Sequence, residues 1–342
     1  MGILTPVYRQ LIDHPAAWTS ASLGSDPKAC LTYPMTPQQL EAIDLLLANT
    51  AHLTPRQVTR RDFDHPAINA LLLELREIMQ NGRGAVLVRG LTPERYTPEQ
   101  CERVFWGFGT HLGKAMMQNA YGDRLCHVTS DKDYPNARGY RGTGELSPHT
   151  DAFAVVGLMC IQRAEAGGYS HLASALAIHN EILKTRPELL EAMYRGTPYA
   201  SLEARGTDIG VTPCDVPIFS CVEGQVSCFF SRQNSNEAVE RTGIALRPDF
   251  AEAADCFEAL ANDPRFRVEF LLEPGEMMIW NNYVLLHART KFDDSPQHKR
   301  DLLRLWLDVE NGRPVVPELF ASANIYAELF RHQMAQAGDR LG

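Results

Sequence analysis

The chain has 342 residues, of which 44% are hydrophobic and 22% charged, a composition typical of a globular protein with a sizeable core. Its net charge is −9 and no Lys/Arg-rich run occurs, so nucleic acid and anionic membranes are disfavoured as partners. The sequence shows neither a signal-peptide pattern nor about 18 consecutive apolar residues, which predicts a cytoplasmic protein. Its eight cysteines include no C-x-x-C pair, which argues against a disulfide framework and a structural zinc site.

The first third of the chain is predicted to be mainly helical. Residues 1–35 carry many turn formers and little apolar periodicity, so we expect an irregular N-terminal arm. Thr36 suits an N-cap and Pro37 a first helical position, which predicts a helix to about Asn49. Further along, the patterns predict a helix over Pro66–Asn81, a buried strand over Ala85–Val88 and a helix from Thr97 to about Phe108. No Gly-rich phosphate-binding motif follows that strand.

The rest of the chain is predicted to be richer in short strands. An apolar run over Phe153–Gln162 ends at a turn over Ala166–Gly168, and short runs separated by Pro and Gly over Val211–Phe230 indicate an antiparallel sheet. Helices are expected over Ser174–Lys184, Pro187–Tyr194 and Phe250–Ala261, and strands over Phe266–Leu272, Met277–Trp280, Tyr283–Arg289 and Leu302–Val309. This order predicts an α+β, mainly β protein, a barrel or jelly roll with helices packed outside. We expect one domain over residues 1–342.

The candidate site begins at His149 and Asp151. In an extended segment these two side chains point the same way, while Thr150 points the opposite way. A second imidazole would complete the two-histidine, one-carboxylate set that binds non-haem Fe(II). We choose His287, because it lies in a strand otherwise suited to burial and a buried polar group needs a partner. The alternatives are polar residues at a strand edge and a hydrogen-bonded core histidine.

Two arginines add to this pattern. With the period of a strand, Arg300, Leu302, Arg304 and Trp306 share one face. Two guanidiniums that point into a barrel would need anions. The alternative is a solvated strand face, since Arg is rarely buried without a partner.

Together these segments resemble the taurine dioxygenase-like (TauD/TfdA) Fe(II)/2-oxoglutarate-dependent oxygenases. The likeness rests on the order of His149-Thr150-Asp151, Gly167-Gly168-Tyr169-Ser170, Pro274-Gly275-Glu276, His287-Ala288-Arg289, Arg300 and Arg304, and it covers about residues 80–310. The resemblance implies a double-stranded β-helix core over that range. It also implies Fe(II) held by His149, Asp151 and His287, with O2 and 2-oxoglutarate as cosubstrates. Arg300 would bind the far carboxylate of 2-oxoglutarate, helped by Ser170, where the family often has Thr.

The residues that would bind the substrate are less clearly indicated by the sequence. Similar enzymes often place a substrate contact at the position of Arg304 and sometimes one just before the first metal ligand, where this chain has Glu145, and these would suit a carboxylate and an ammonium group. The alternative for Glu145 is a loop carboxylate in solvent. We therefore predict hydroxylation of a small amino acid or similar zwitterion. Desaturation, cyclisation or oxidative C–C cleavage at the same iron remain alternatives, as does a non-catalytic jelly-roll protein that binds a small ligand. A homo-oligomer is left open.

Overall fold

Two β-sheets form the centre of the fold. The structure is a computed structural model that describes residues 5–119, 121–130, 141–201, 204–205 and 207–339. The larger sheet has seven strands, namely β1 (Thr32–Pro34), β2 (Ala85–Arg89), β3 (Lys114–Ala115), β4 (Leu125–Thr129), β6 (Val155–Gln162), β12 (Met277–Asn281) and β15 (Asp301–Asp308). Their order is β1-β2-β12-β6-β15-β3, with β4 also paired to β15, and every pairing except β1 with β2 is antiparallel.

A smaller, antiparallel sheet carries most of the candidate site. Its strands are β5 (Leu146–His149), β8 (Ser170–Ser174), β11 (Arg267–Phe270) and β13 (Leu285–Arg289), in the order β11-β8-β13-β5. Two short pairs complete the described strands: β7 (Ala166–Gly167) with β14 (Phe292–Asp293), and β9 (Phe219–Val222) with β10 (Gln225–Cys228).

Nine helices flank the sheets in the described part of the chain. They are α1 (Pro27–Leu31), α2 (Pro37–Asn49), α3 (Pro66–Gln80), α4 (Pro98–Leu112), α5 (Ala175–Thr185), α6 (Leu190–Arg195), α7 (Arg232–Thr242), α8 (Pro248–Asn262) and α9 (Leu319–Asp339). Thr36 and Thr97 cap α2 and α4, as the Thr-Pro pairs predict, and each also forms a capping box, with Gln39 and Gln100 respectively. No helix among the described residues is long and apolar enough to span a membrane.

The core lies on both faces of the larger sheet. Along β15, Leu303 and Leu305 pack with the apolar stripes of α2, α3 and α4 in one cluster. Leu302 and Trp306 belong to a second cluster, together with residues of the smaller sheet. The predicted alternation of β15 therefore separates a helix-covered face from a face that looks towards the smaller sheet.

The predicted mixed α+β class is confirmed, with local corrections. The arm over residues 1–35 is not wholly irregular, because Asp26 caps α1 and β1 then pairs in parallel with β2. Helix α4 continues past Phe108 to Leu112. Gly109 lies within the helix and packs closely on the sheet, since a Cβ there would lie 2.8 Å from the Leu305 Cδ1 methyl group. Helices α7 and α9 were not predicted.

Candidate active site

The three predicted metal ligands lie together. His149 ends β5, Asp151 follows two residues later, and His287 lies in the middle of β13. The strand register places His287 opposite His149, with ring centroids 4.2 Å apart. One possible ligand atom from each of the three side chains lies within 4.8 Å of the others, and no other such group of His, Cys, Asp or Glu occurs among the described residues.

The protonation states of these side chains suit a metal. His149 Nδ1 lies 2.8 Å from the Ser147 carbonyl oxygen, which can only accept, so Nδ1 donates this bond and Nε2 is the ring nitrogen left to face a metal. Burial, reinforced by the neighbouring His149, lowers the pKa of His287 to about 3 and keeps it neutral. Burial alone would raise the pKa of Asp151, but the Arg304 guanidinium and the hydrogen bond from Trp306 help to hold that pKa below its usual value. Metal ligation requires neutral imidazole and ionised carboxylate, so this donor set fits Fe(II).

Two buried side chains fix the position of Asp151. Trp306 Nε1 donates to Asp151 Oδ2 at 2.7 Å. Asn282 donates through Nδ2 to the carbonyl oxygens of Asp151 (2.7 Å) and Phe153 (2.9 Å), and its Oδ1 accepts from the Asp151 N–H at 3.0 Å. Sequence reasoning gave neither residue a role. The available signal for Asn282 was a polar Asn281-Asn282 pair between two apolar strands.

Arg300 occupies a buried position just before β15. It is 4% exposed, burial lowers its pKa to about 10, and its Nη1 lacks a hydrogen-bond partner among the described residues. Gly168, which adopts the left-handed region at φ +73°, lies beside it, since a Cβ there would be in ordinary contact, at 3.4 Å, with both Arg300 Nε and Phe292 Cβ. Ser170, the predicted helper, lines the same cavity. A buried cation without an anionic partner is costly, so this end of the cavity fits a ligand carboxylate.

Arg289 is a second buried guanidinium in this region, and sequence reasoning gave it no role. Its Nη2 donates to the carbonyl oxygens of Gly142, at 2.9 Å, and Gly144. Its Nε and Nη1 have no hydrogen-bond partner in the part of the chain that the structure describes. Burial, followed by the positive charge of Arg300, lowers the pKa of Arg289 to about 9. The ring of Phe292 contacts both guanidiniums, with centroid distances of 4.7 Å to Arg289 and 5.1 Å to Arg300.

Arg304 is held in a fixed orientation beside Trp306. Its guanidinium carbon lies 4.5 Å from the centre of the Trp306 ring, and its Nε donates to Gln118 Oε1 at 2.6 Å. Gln118 is fully buried, and its Nε2 donates to the carbonyl oxygens of Arg304 (2.8 Å) and Arg124 (2.9 Å). Because both ends of this amide are engaged, Gln118 directs the Arg304 side chain.

One cavity of about 140 Å³ brings most of these groups together between the two sheets. Six predicted site residues line it: His149, Asp151, Ser170, His287, Arg300 and Arg304. The seventh, Glu145, is exposed and does not line the cavity. A role for Glu145 in substrate binding therefore remains a prediction.

Comparison with known proteins identifies the family. The model of the taurine catabolism dioxygenase TauD, TfdA family matches residues 49–306. The chain belongs to the TauD/TfdA family. It is an Fe(II)/2-oxoglutarate-dependent oxygenase, and the predicted enzyme class, iron and 2-oxoglutarate are thereby confirmed.

Individual relatives agree with the family. FR-33289 synthase of Streptomyces rubellomurinus is 33% identical over 296 residues, which cover 82% of this chain and 84% of that protein. Asparagine oxygenase, solved with Fe(II), 2S,3S-3-hydroxyasparagine and succinate, has a TM-score of 0.66 at 16% identity and covers 81% of this chain and 93% of that one. The non-haem iron oxygenase OrfP, solved with Fe and alpha-ketoglutaric acid, has a TM-score of 0.61 at 16% identity. The match covers 82% of this chain and 94% of OrfP. These structures show that this TauD/TfdA member shares their fold.

Proposed function

We propose that this oxygenase hydroxylates a small amino acid or a similar zwitterion, with His149, Asp151 and His287 as its Fe(II) ligands. The position of Arg304 carries the proposal, because this buried cation lines the cavity that also contains the three candidate ligands. A guanidinium suits the planar carboxylate of an amino acid. The fold shared with asparagine oxygenase, which was solved with a hydroxylated amino acid, supports the same substrate class here.

Each buried cation would have a separate task. When bound, Fe(II) couples the oxidative decarboxylation of 2-oxoglutarate by O2 to oxidation of the substrate. Arg300 would bind the far carboxylate of 2-oxoglutarate, with the Ser170 hydroxyl as a second donor. Arg304 would hold the acidic group of the substrate and so decide which C–H bond faces the metal. The apolar wall at Val156 would limit access of water.

The proposal includes the architecture that places these residues. The larger and smaller sheets would be the two halves of a double-stranded β-helix over about residues 80–310, within one catalytic domain spanning residues 1–342. The cavity between the sheets, lined from both of them, supports this arrangement.

A second candidate substrate is an organic acid without an ammonium group. This class is favoured by the exposure of Glu145, which leaves the predicted ammonium contact outside the cavity, whereas Arg304 is only 7% exposed. Desaturation, cyclisation and C–C cleavage remain alternative outcomes at the same site. They differ from hydroxylation only in how the substrate is placed beside the metal.

The experiment is succinate formation from 2-oxoglutarate in air with added Fe(II), with and without a panel of amino acids and matched acids that lack the amino group. We expect one panel member to stimulate succinate formation in the wild type but not in His149→Ala. Arg304→Met should raise the KM for that compound at least tenfold, since a charge-assisted pair is lost. Glu145→Gln should raise the KM only for compounds with an amino group. An Arg304→Met variant with unchanged KM would contradict the proposed substrate site, and mass spectrometry of the product would distinguish hydroxylation from the alternatives.

A further inference from the structure

The position of Arg289 follows from the pairing of β13. Side chains two residues apart on a strand point to the same side, so Arg289 faces the cavity, as His287 does. The register places Arg289 opposite Ser170 on β8 and opposite Leu146 on β5. Arg289 therefore lies between the proposed 2-oxoglutarate contact Ser170 and the segment that leads to the first candidate metal ligand, and it lines the cavity.

The positive charge around Arg289 is offset only in part, by Asp294, which acts on both Arg289 and Arg300 from a distance. Arg289 and Arg300 are each 4% exposed and contact the same ring, that of Phe292. Within the described ranges, no Asp or Glu oxygen lies within 4.0 Å of a nitrogen of either guanidinium. Within the same ranges, Arg289 Nε and Nη1 and Arg300 Nη1 are buried without a hydrogen-bond partner. Two buried cations with unused donors on one side of a cavity are strongly destabilising unless an anion is bound there.

We propose that Arg289 is a second cation of the 2-oxoglutarate pocket and acts with Arg300 on the far carboxylate of the cosubstrate. The inference rests on the proposed function, because it takes Arg300 as the first carboxylate contact. A carboxylate has about four lone-pair sites and can accept from two guanidiniums at once. Through Nη2, Arg289 also holds the backbone at Gly142 and Gly144, so the same side chain connects the cosubstrate to the segment that precedes His149.

A purely structural role is the competing explanation. If Arg289 served only to hold the Gly142 and Gly144 carbonyl oxygens, its loss would weaken the site for every ligand in the same proportion. If Arg289 acts on the far carboxylate, its loss affects only ligands that carry this group. The comparison of 2-oxoglutarate with 2-oxopentanoate, in which a methyl group replaces the far carboxylate, separates the two roles.

The experiment measures dissociation constants for both oxo acids with the full-length, Fe(II)-loaded protein under anaerobic conditions, from the visible charge-transfer absorption of the complex. The variants are Arg289→Met, Arg289→Lys and, as the reference for the first contact, Arg300→Met. We expect Arg289→Met to weaken 2-oxoglutarate binding by about 10- to 100-fold, while 2-oxopentanoate changes less than about twofold. Arg289→Lys keeps the charge and should recover part of the loss. If Arg289→Met does not fold, the selectivity of Arg289→Lys carries the test, with an expected loss of about 3- to 10-fold for 2-oxoglutarate alone.

The outcomes separate this inference from the proposed function. Equal weakening of both oxo acids in the Arg289 variants, or no weakening of either, would overturn the role of Arg289. If Arg300→Met left the preference for 2-oxoglutarate over 2-oxopentanoate unchanged, the proposed cosubstrate site itself would be wrong, whatever Arg289 does. Selective loss of 2-oxoglutarate binding in both Arg289→Met and Arg300→Met would support the paired site.

Discussion

The hydrogen bond from Trp306 to Asp151 provides a direct test of how the metal site is built. Trp306→Phe keeps an aromatic ring on the buried face of β15 but removes the Nε1 donor, which lies 2.7 Å from Asp151 Oδ2. A hydrogen bond to a charged group contributes about 1.5–3 kcal/mol. Loss of a partner that orients a metal ligand typically lowers metal affinity by about 10- to 100-fold, or about 1.4–2.7 kcal/mol. The two ranges agree, so we expect Fe(II) affinity to fall by about 10- to 100-fold.

The assay is an anaerobic Fe(II) titration of the metal-free protein, repeated with Co(II) as an air-stable substitute. Trp18→Phe is the matched control, because Trp18 is buried, donates its indole N–H to the Arg83 carbonyl oxygen at 3.0 Å and does not line the cavity. We expect Trp18→Phe to lower the free energy of unfolding while leaving metal affinity unchanged. The reasoning would be refuted if Trp306→Phe bound Fe(II) as tightly as the wild type, or if both variants weakened binding equally.

Three further predictions concern stability, and urea unfolding measures each of them. Asn282→Ala removes three hydrogen bonds that hold the backbone around Asp151 and should lower the free energy of unfolding by about 2–4 kcal/mol; a loss below about 1 kcal/mol would contradict this. Burial opposes ionisation of Glu276, but its bonds, including those from Arg89 at 2.7 and 2.9 Å, lower its pKa. Glu276→Gln should therefore lower the free energy of unfolding by about 1–3 kcal/mol at pH 7. This difference from the wild type should shrink as the pH falls below 4.5, because the wild-type carboxylate then becomes protonated and loses its charge. His179 is fully buried, and burial lowers its pKa from 6.5 to about 4, so the unfolded chain binds the proton first. The free energy of unfolding should then decrease between pH 6.5 and 4 by up to about 3 kcal/mol, and this component should be absent in His179→Gln.

Local signals explain why much of the fold could be predicted. Thr36 and Thr97 each precede a proline and begin a helix in the structure, since capping and the fixed φ of proline act within one turn. Helix α7 escaped prediction because its sequence, Arg232–Thr242, is mostly polar and has no apolar stripe. It is begun instead by Ser231, whose side chain accepts from Asn234 N–H.

In the candidate site, too, the features that follow from local sequence could be predicted, whereas those that depend on distant contacts could not. The spacing of His149 and Asp151 is a local property of an extended chain, so their approach could be foreseen, and His287 followed from the cost of burying an imidazole. Gln118 could not be foreseen, because its partner Arg304 is 186 positions away and only the completed sheet brings them together. The contacts that orient the site are mostly of this second, non-local kind.

The N-terminal arm protects one edge of the larger sheet. Strand β1 has only three residues, yet it pairs with Leu87, Val88 and Arg89 of β2 and so occupies their otherwise open hydrogen-bonding groups. Removal of the arm would leave β2, still paired with β12 on its other side, as an open edge strand with a largely apolar sequence, which is a template for association with other chains. A shortened protein that starts at Met35 should therefore aggregate even though its cavity residues are all retained, and light scattering of the purified fragment would reveal it.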